Sequence, residues 1–256
     1  MKRRNWTKDE LILAFSLYLK LPFGKMHRNN PDIIYLSKII NRTPSAVAMR
    51  LSNFASLDPF HQQRGVKGLT GGISICQPIW DEFINNREEL LFKSENILAN
   101  KENIDIEIKY SDILKDTHNL RGEIKERLVK TRVNQSVFRK IILSTYKTKC
   151  AISGIDIPQL LIASHIIPWS HNEKERLNPS NGICLSMLYD KAFDIGLIGI
   201  KKDYKVVVSN KIKHNSKKDY YKTYFKHIEN QEIFLPERYL PKAEFLEYHL
   251  DTIFQK

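Results

Sequence analysis

Residues 160–199 read LLIASHIIPWSHNEKERLNPSNGICLSMLYDKAFDIGLIG, and their order of apolar and turn-forming residues predicts two short strands followed by a helix. Leu160 to Ile167 is an apolar, β-branched run closed by Pro168, so it reads as a short buried strand presenting His165 at its end. The polar stretch from His171 to Gly182 contains Asn178, Pro179 and the pair Asn181-Gly182, a turn signal before the apolar Ile183-Cys184-Leu185 of a second strand. From Ser186 to Ile195 the pattern becomes helical, with Leu188, Ala192 and Ile195 on one face and Asp190 and Asp194 one turn apart on another.

These residue types suit one kind of chemistry. An imidazole that titrates near neutrality is the side chain best matched to taking a proton from water, which makes His165 the candidate general base. Asn181, at the hairpin corner, can bridge backbone groups with its amide and hold the loop that carries the base. Two carboxylates at i and i+4 can bind a hard divalent cation that keeps part of its water shell, which suits Mg²⁺ or Mn²⁺ together with a substrate phosphate. Asp190 and Asp194 equally read as a solvated helix face, or as ion-pair partners of Lys191 and nearby lysines, and Asp194 before Ile195-Gly196 can cap the helix end. His171, among Asn172, Glu173 and Lys174, reads as part of a solvated loop.

The strand, hairpin and helix resemble the HNH nucleases, the ββα-metal superfamily. The resemblance covers Phe138 to Gly199 and extends to the tail LPERYLPKAEFLEYHLDTIF at 235–254, which is similar to the end of a bacterial, restriction-type HNH subfamily. It implies that His165 is the base, that Asn181 takes the middle position, that Asp190 falls where the family's final histidine lies, and that Asp194 is a further metal- or phosphate-contacting residue. Lys191, between the two aspartates, is then placed to contact DNA. Two departures stand out: Ser164 occupies a position where many members have Asp or His, and Asp190 replaces a histidine, which favours an oxygen-binding cation over Zn²⁺. One divalent cation per site is the expected cofactor. Cys76, Cys150 and Cys184 are scattered, and Cys150-Ala151-Ile152-Ser153 lacks the second thiol of a CxxC pair, so neither a disulfide framework nor a structural zinc is expected.

The rest of the chain is consistent with a polyanionic partner. Its formal charge is +12, which points to nucleic acid or an anionic membrane surface. No apolar run reaches transmembrane length and MKRRNWTKDE is not followed by a signal-peptide pattern, so a cytoplasmic protein of bacterial type is expected, with double-stranded DNA rather than membrane as partner.

Upstream, residues 1–64 read as a trihelical module. Thr7 with Glu10 is a capping box, and Leu11, Ile12, Phe15, Tyr18 and Leu19 form an apolar stripe. Pro31 to Ile40 reads as a second helix burying Ile33, Leu36 and Ile40. After a tight turn at Asn41-Arg42, Thr43-Pro44 opens a third with Val47, Leu51 and Phe54 inward. NWTKDE and NRTPSAVAMRL are similar to the Myb/SANT type of helix-turn-helix, which implies that Arg42, Ser45, Met49 and Arg50 point outward to phosphates or base edges. The alternative is a small helical domain for protein contact.

Residues 65–131 read as a helical connector. It opens with Gly65, Gly68, Gly71 and Gly72, a flexible joint without the lysine and serine spacing of a P-loop, and Ile104 to Ile108 alternates like an extended linker or edge strand. Residues 132–256 form the nuclease domain. Between Lys201 and Lys226, beyond a strand expected at Lys205 to Ser209, nine lysines stand against two aspartates, interleaved with tyrosines, and are expected to line the duplex.

The whole is thus expected to be α+β: a trihelical module, a helical connector and a C-terminal ββα-metal domain, acting as an endonuclease in restriction or defence. A homing or mobile-element nuclease, or an inactive DNA-binding regulator on the same fold, are the rival readings. A duplex cut on both strands would suit a homodimer.

Overall fold

The computed structural model describes residues 4–65, 71–117 and 119–256. Helix α1, Lys8–Lys20, begins with a formed capping box: Glu10 N–H donates to Thr7 Oγ1 at 3.3 Å and Thr7 N–H to Glu10 Oε2 at 3.0 Å. Helix α2, Pro31–Ile39, is capped by the Asn30 side chain. Asn41 in the left-handed region (φ +50°) turns the chain into α3, Pro44–Leu57, where Thr43 accepts from Ala46 N–H. The short α4, Pro59–Gln63, is followed by α5, Ile73–Phe83, and α6, Arg87–Lys101.

The apolar stripes of these helices meet in one core. Phe15 stacks on Phe54 with ring centroids 4.7 Å apart, Trp80 of α5 leans on Phe15 at 5.2 Å, and Ile12, Tyr18, Ile33, Val47, Leu51, Cys76 and Leu90 are buried around them. The anticipated glycine joint falls partly on residues 66–70, outside the described residues. Gly72, at its end, has φ +105°.

Several expectations for this half are corrected. Arg42 and Arg50 do not point outward. Glu10, 3% exposed, has charge needs that its capping role does not meet, and Arg42 donates to it at 2.8 Å while Arg4 pairs with its other oxygen. Burial alone would raise the Glu10 carboxyl pKa, but Arg42, Arg4 and the Thr7 N–H together hold it below the ordinary value. Arg50 is 9% exposed and donates to Gly72 O and Asn53 Oδ1, and both guanidinium groups stack on Trp6, at 4.1 and 4.8 Å. Ser45 and Met49 are exposed. Ile104–Ile108 is not a strand: Asp105 accepts from Glu107 N–H at 2.7 Å and starts the one-turn helix α7, Ile106–Lys109. Ile106 packs inward against Tyr110, Leu114, Val129 and Val133, leaving Ile104 and Ile108 exposed.

Contacts divide the chain into two units, Met1–Val137 and Phe138–Lys256, and the division falls inside the long helix α8, Gly122–Thr145. In the second unit β1, Leu161–His165, pairs antiparallel with β2, Gly182–Ser186, in the register Leu161 to Ser186 and His165 to Gly182. Helix α9, Met187–Asp194, follows β2 directly and packs on both strands. A second hairpin, β3 (Ile198–Ile200) with β4 (Val206–Val208), is followed by α10, Asn210–Lys213. Then come α11, Asp219–Tyr221, a π-helical turn at Lys222–Lys226, and α12, Ala243–Thr252. The architecture is mixed: mostly helix, with two small antiparallel sheets. Among the described residues no helix is long and apolar enough to cross a membrane.

The inward face of α9 also differs from expectation. Tyr189, Ala192 and Phe193 are buried, whereas Leu188 and Ile195 are 45% and 40% exposed. Aromatic rings decide the face: Phe193 stacks on His249 of α12 at 3.7 Å, and Tyr189 donates its hydroxyl to Tyr224 O.

Candidate active site

The loop between β1 and β2 is closed by a single side chain. Asn181, 1% exposed, accepts from Ile167 N–H at 2.8 Å and donates to Ile167 O at 3.2 Å and Glu175 O at 3.1 Å. Its own carbonyl accepts from Ile166 N–H. The amide thus ties the exit of β1 to the entrance of β2, and His165 sits between these ties.

His165 is held on three sides. Its ring lies flat on Phe138 with centroids 4.4 Å apart and a 12° interplanar angle, and Trp169 meets it edge-on at 5.5 Å. Nε2 lies 2.9 Å from the Arg176 carbonyl. A carbonyl can only accept, so Nε2 carries the hydrogen and the neutral ring keeps its lone pair on Nδ1. Burial pushes the imidazole pKa below its ordinary value, and the bond to the Arg176 carbonyl opposes this only in part. Burial thus favours the neutral ring. Arg176 braces the same loop, donating from Nε to Trp169 O at 2.6 Å while its guanidinium covers the Trp169 ring.

Packed on β1 and β2, α9 carries Asp190 and Asp194. Asp190 is half-buried, with the Ser164 hydroxyl beside it, and Asp194 is exposed. Burial raises the Asp190 carboxyl pKa, opposed by the Ser164 hydroxyl and Lys191. Asp194 is pushed up to about 6, first by burial and then by the charge of Asp190. The helix end is closed by Gly196 at φ +71°, whose N–H donates to Phe193 O, so the Asp194 side chain is not its cap. Lys191 is exposed between them.

Ser164, beside His165 and 2% exposed, has a hydroxyl near enough to Asp190 to favour the ionised form. It nevertheless forms no hydrogen bond of ordinary geometry, and its oxygen is buried without a partner. Two carboxylates, one raising the other's pKa, and the buried Ser164 hydroxyl beside Asp190 are all hard oxygen donors. They fit a divalent cation, which would relieve the repulsion between the carboxylates. Among the described residues no three His, Cys, Asp or Glu side chains gather into a ready-made cage, so water would complete the coordination.

The ββα unit thus brings His165, Asn181, Asp190, Lys191 and Asp194 into one element group, while Arg42, Ser45, Met49 and Arg50 belong to the first unit. Sequence reasoning missed Phe138, Trp169 and Arg176, which seat the His165 ring. Only a fold that returns α8 and the polar loop to the end of β1 reveals them. Cys150 is structural: its Sγ accepts from Ser153 N–H at 3.3 Å and from Ser186 N–H at 3.2 Å, anchoring the start of α9.

Residues 150–201, which contain both strands and α9, match a family model described as HNH endonuclease. No curated protein matches the chain. The match supports the HNH family for this segment and nuclease chemistry on DNA in general.

Proposed function

We propose that this protein is a metal-dependent DNA endonuclease that hydrolyses phosphodiester bonds in double-stranded DNA, leaving 5′-phosphate and 3′-hydroxyl ends. The observation that carries this reading is His165, fixed by the Arg176 carbonyl with Nδ1 as its basic atom and set beside a helix with two carboxylates of raised pKa. Asp190 and Asp194 would hold one Mg²⁺ or Mn²⁺, which when bound supplies charge neutralisation at the phosphoryl and departing 3′ oxygens.

His165 Nδ1 takes a proton from the attacking water while Nε2–H stays on the Arg176 carbonyl, so the imidazolium forms without ring rotation. The water oxygen bonds to phosphorus, the bond from phosphorus to the 3′ oxygen breaks, and that oxygen is protonated from solvent. Asn181 acts through the loop it clamps, keeping Nδ1 in place. Lys191, exposed between the carboxylates, would contact a phosphate. In the N-terminal helices, Ser45 and Met49 are the exposed pair that would face DNA. A sequence-reading unit joined to a nuclease suits a role in restriction or defence.

The test is incubation of purified protein with plasmid and phage DNA, unmodified and cytosine-modified, in Mg²⁺ or Mn²⁺, beside His165→Ala and an EDTA control. The expected outcome is discrete fragments from wild type alone, with cleavage by His165→Ala reduced by about 10²- to 10⁴-fold and DNA binding retained. Tight, salt-sensitive binding without cleavage in any metal would overturn the reading in favour of a DNA-binding regulator.

A further inference from the structure

The segment 217–226, a turn leading into α11 and the π-helical turn, belongs to the same unit as α9 and is tied to it. Tyr189 of α9 donates its hydroxyl to Tyr224 O at 2.9 Å and meets the Phe225 ring edge-on at 6.5 Å. Tyr221 and Phe225, 5% and 6% exposed, anchor the stretch inward. The opposite side is unusual for a lysine-rich helix face. Tyr220 and Tyr224, one turn apart, are 45% and 48% exposed. Among the described residues neither ring stacks on another ring and neither hydroxyl is hydrogen-bonded. Lys217, Lys218, Lys222 and Lys226 are exposed around them, and the single acid in the stretch, Asp219, is paired with Lys222 at 3.2 Å.

A lysine track alone would suit a duplex, whose surface is phosphate. The half-exposed tyrosines ask for something more, because a duplex hides the faces of its bases in the stack. An unpaired strand offers both: base faces for aromatic rings and phosphates for ammonium groups. We propose that Tyr220 and Tyr224, with Lys217, Lys218, Lys222 and Lys226, form a binding site for single-stranded nucleic acid. The site holds an unpaired segment of the substrate next to the catalytic helix. This rests on the reading of the ββα site as one that acts on nucleic acid, and it adds a substrate class: DNA with a flap, gap or overhang beside the cut.

The experiment uses the full-length His165→Ala protein in EDTA, with fluorescein-labelled mixed-sequence single-stranded DNA and a blunt duplex as separate probes, read by fluorescence anisotropy. Tyr220→Ala/Tyr224→Ala should weaken single-strand binding by about 10-fold or more and leave duplex binding within about 2-fold. Tyr220→Phe/Tyr224→Phe, which keeps the rings, should restore it. Circular dichroism checks that both variants fold. Equal weakening of both probes, or no change in either, overturns the proposal; the second outcome leaves the lysines as a duplex track. The two readings fail separately. Wild-type cleavage of duplex with single-strand binding indifferent to the tyrosines sinks the exosite alone. Loss of single-strand binding in the tyrosine variant, with no wild-type cleavage of any DNA, sinks the nuclease alone.

Discussion

Asn181 shows how one side chain can hold the loop that follows His165. Its three side-chain hydrogen bonds satisfy Ile167 N–H and the carbonyls of Ile167 and Glu175 in a buried loop. Asn181→Ala leaves these groups unpaired, and we expect about 2–3 kcal/mol of lost stability by urea denaturation, together with a fall in kcat. Asn181→Asp keeps the acceptor for Ile167 N–H but turns a carboxylate toward two carbonyls, so it should rescue neither property. A variant with full activity and stability would show that the loop is held elsewhere. The asparagine and its hairpin corner were legible in the residue order. The carbonyl that sets the tautomer of His165 was not, because any residue type can supply a backbone oxygen and Arg176 carries no signature of that use.

At the scale of elements, the seat of the His165 ring is made by the close approach of β2 to α8. Gly182, opposite His165 in the ladder, has an ordinary extended φ of −129°, so its lack of a side chain serves space rather than backbone freedom. A Cβ there would meet Ile142 Cδ1 at 2.5 Å and Phe138 Cζ at 2.7 Å. Phe138 is the ring on which His165 lies. Gly182→Ala should therefore cost about 1–3 kcal/mol and reduce cleavage beyond that loss, because Phe138 must move from under the imidazole. Thermal or urea unfolding beside a cleavage assay checks this; unchanged cleavage would mean that Phe138 does not seat the base. Caps and strands were readable from the chain: Thr7, Thr43 and the run before Pro168 all act within a few residues. Ile104 to Ile108 misled because its alternation fits a strand as well as one helical turn, and the Asp105 side chain captures Glu107 N–H first.

For the molecule as a whole, buried histidine links stability to pH. His249, 1% exposed, donates from Nε2 to Phe193 O, and burial holds its pKa at about 4, opposed by that bond. Between its ordinary 6.5 and about 4 the unfolded chain binds a proton that the folded chain refuses, so the contribution is complete above 6.5 and is lost as pH falls. The expected slope is about 1.4 kcal/mol per pH unit in that window. Asp194, with its raised pKa, acts in the opposite sense, so the difference between wild type and His249→Phe, by chemical denaturation at pH 7 and pH 5, isolates the term. Parallel pH profiles for the two proteins would refute it. Residue order alone was enough for the two strands and helix of the ββα segment and for the N-terminal helices, because periodicity, caps and turn chemistry act over one or two turns of chain. The spatial arrangement decided which cations are free and what surrounds the base. Arg42 and Arg50 turn inward to Glu10, Trp6 and Gly72, and Phe138, Trp169 and Arg176 converge on His165. A buried charge or ring takes the partner nearest in space, and distance along the chain does not tell which that is.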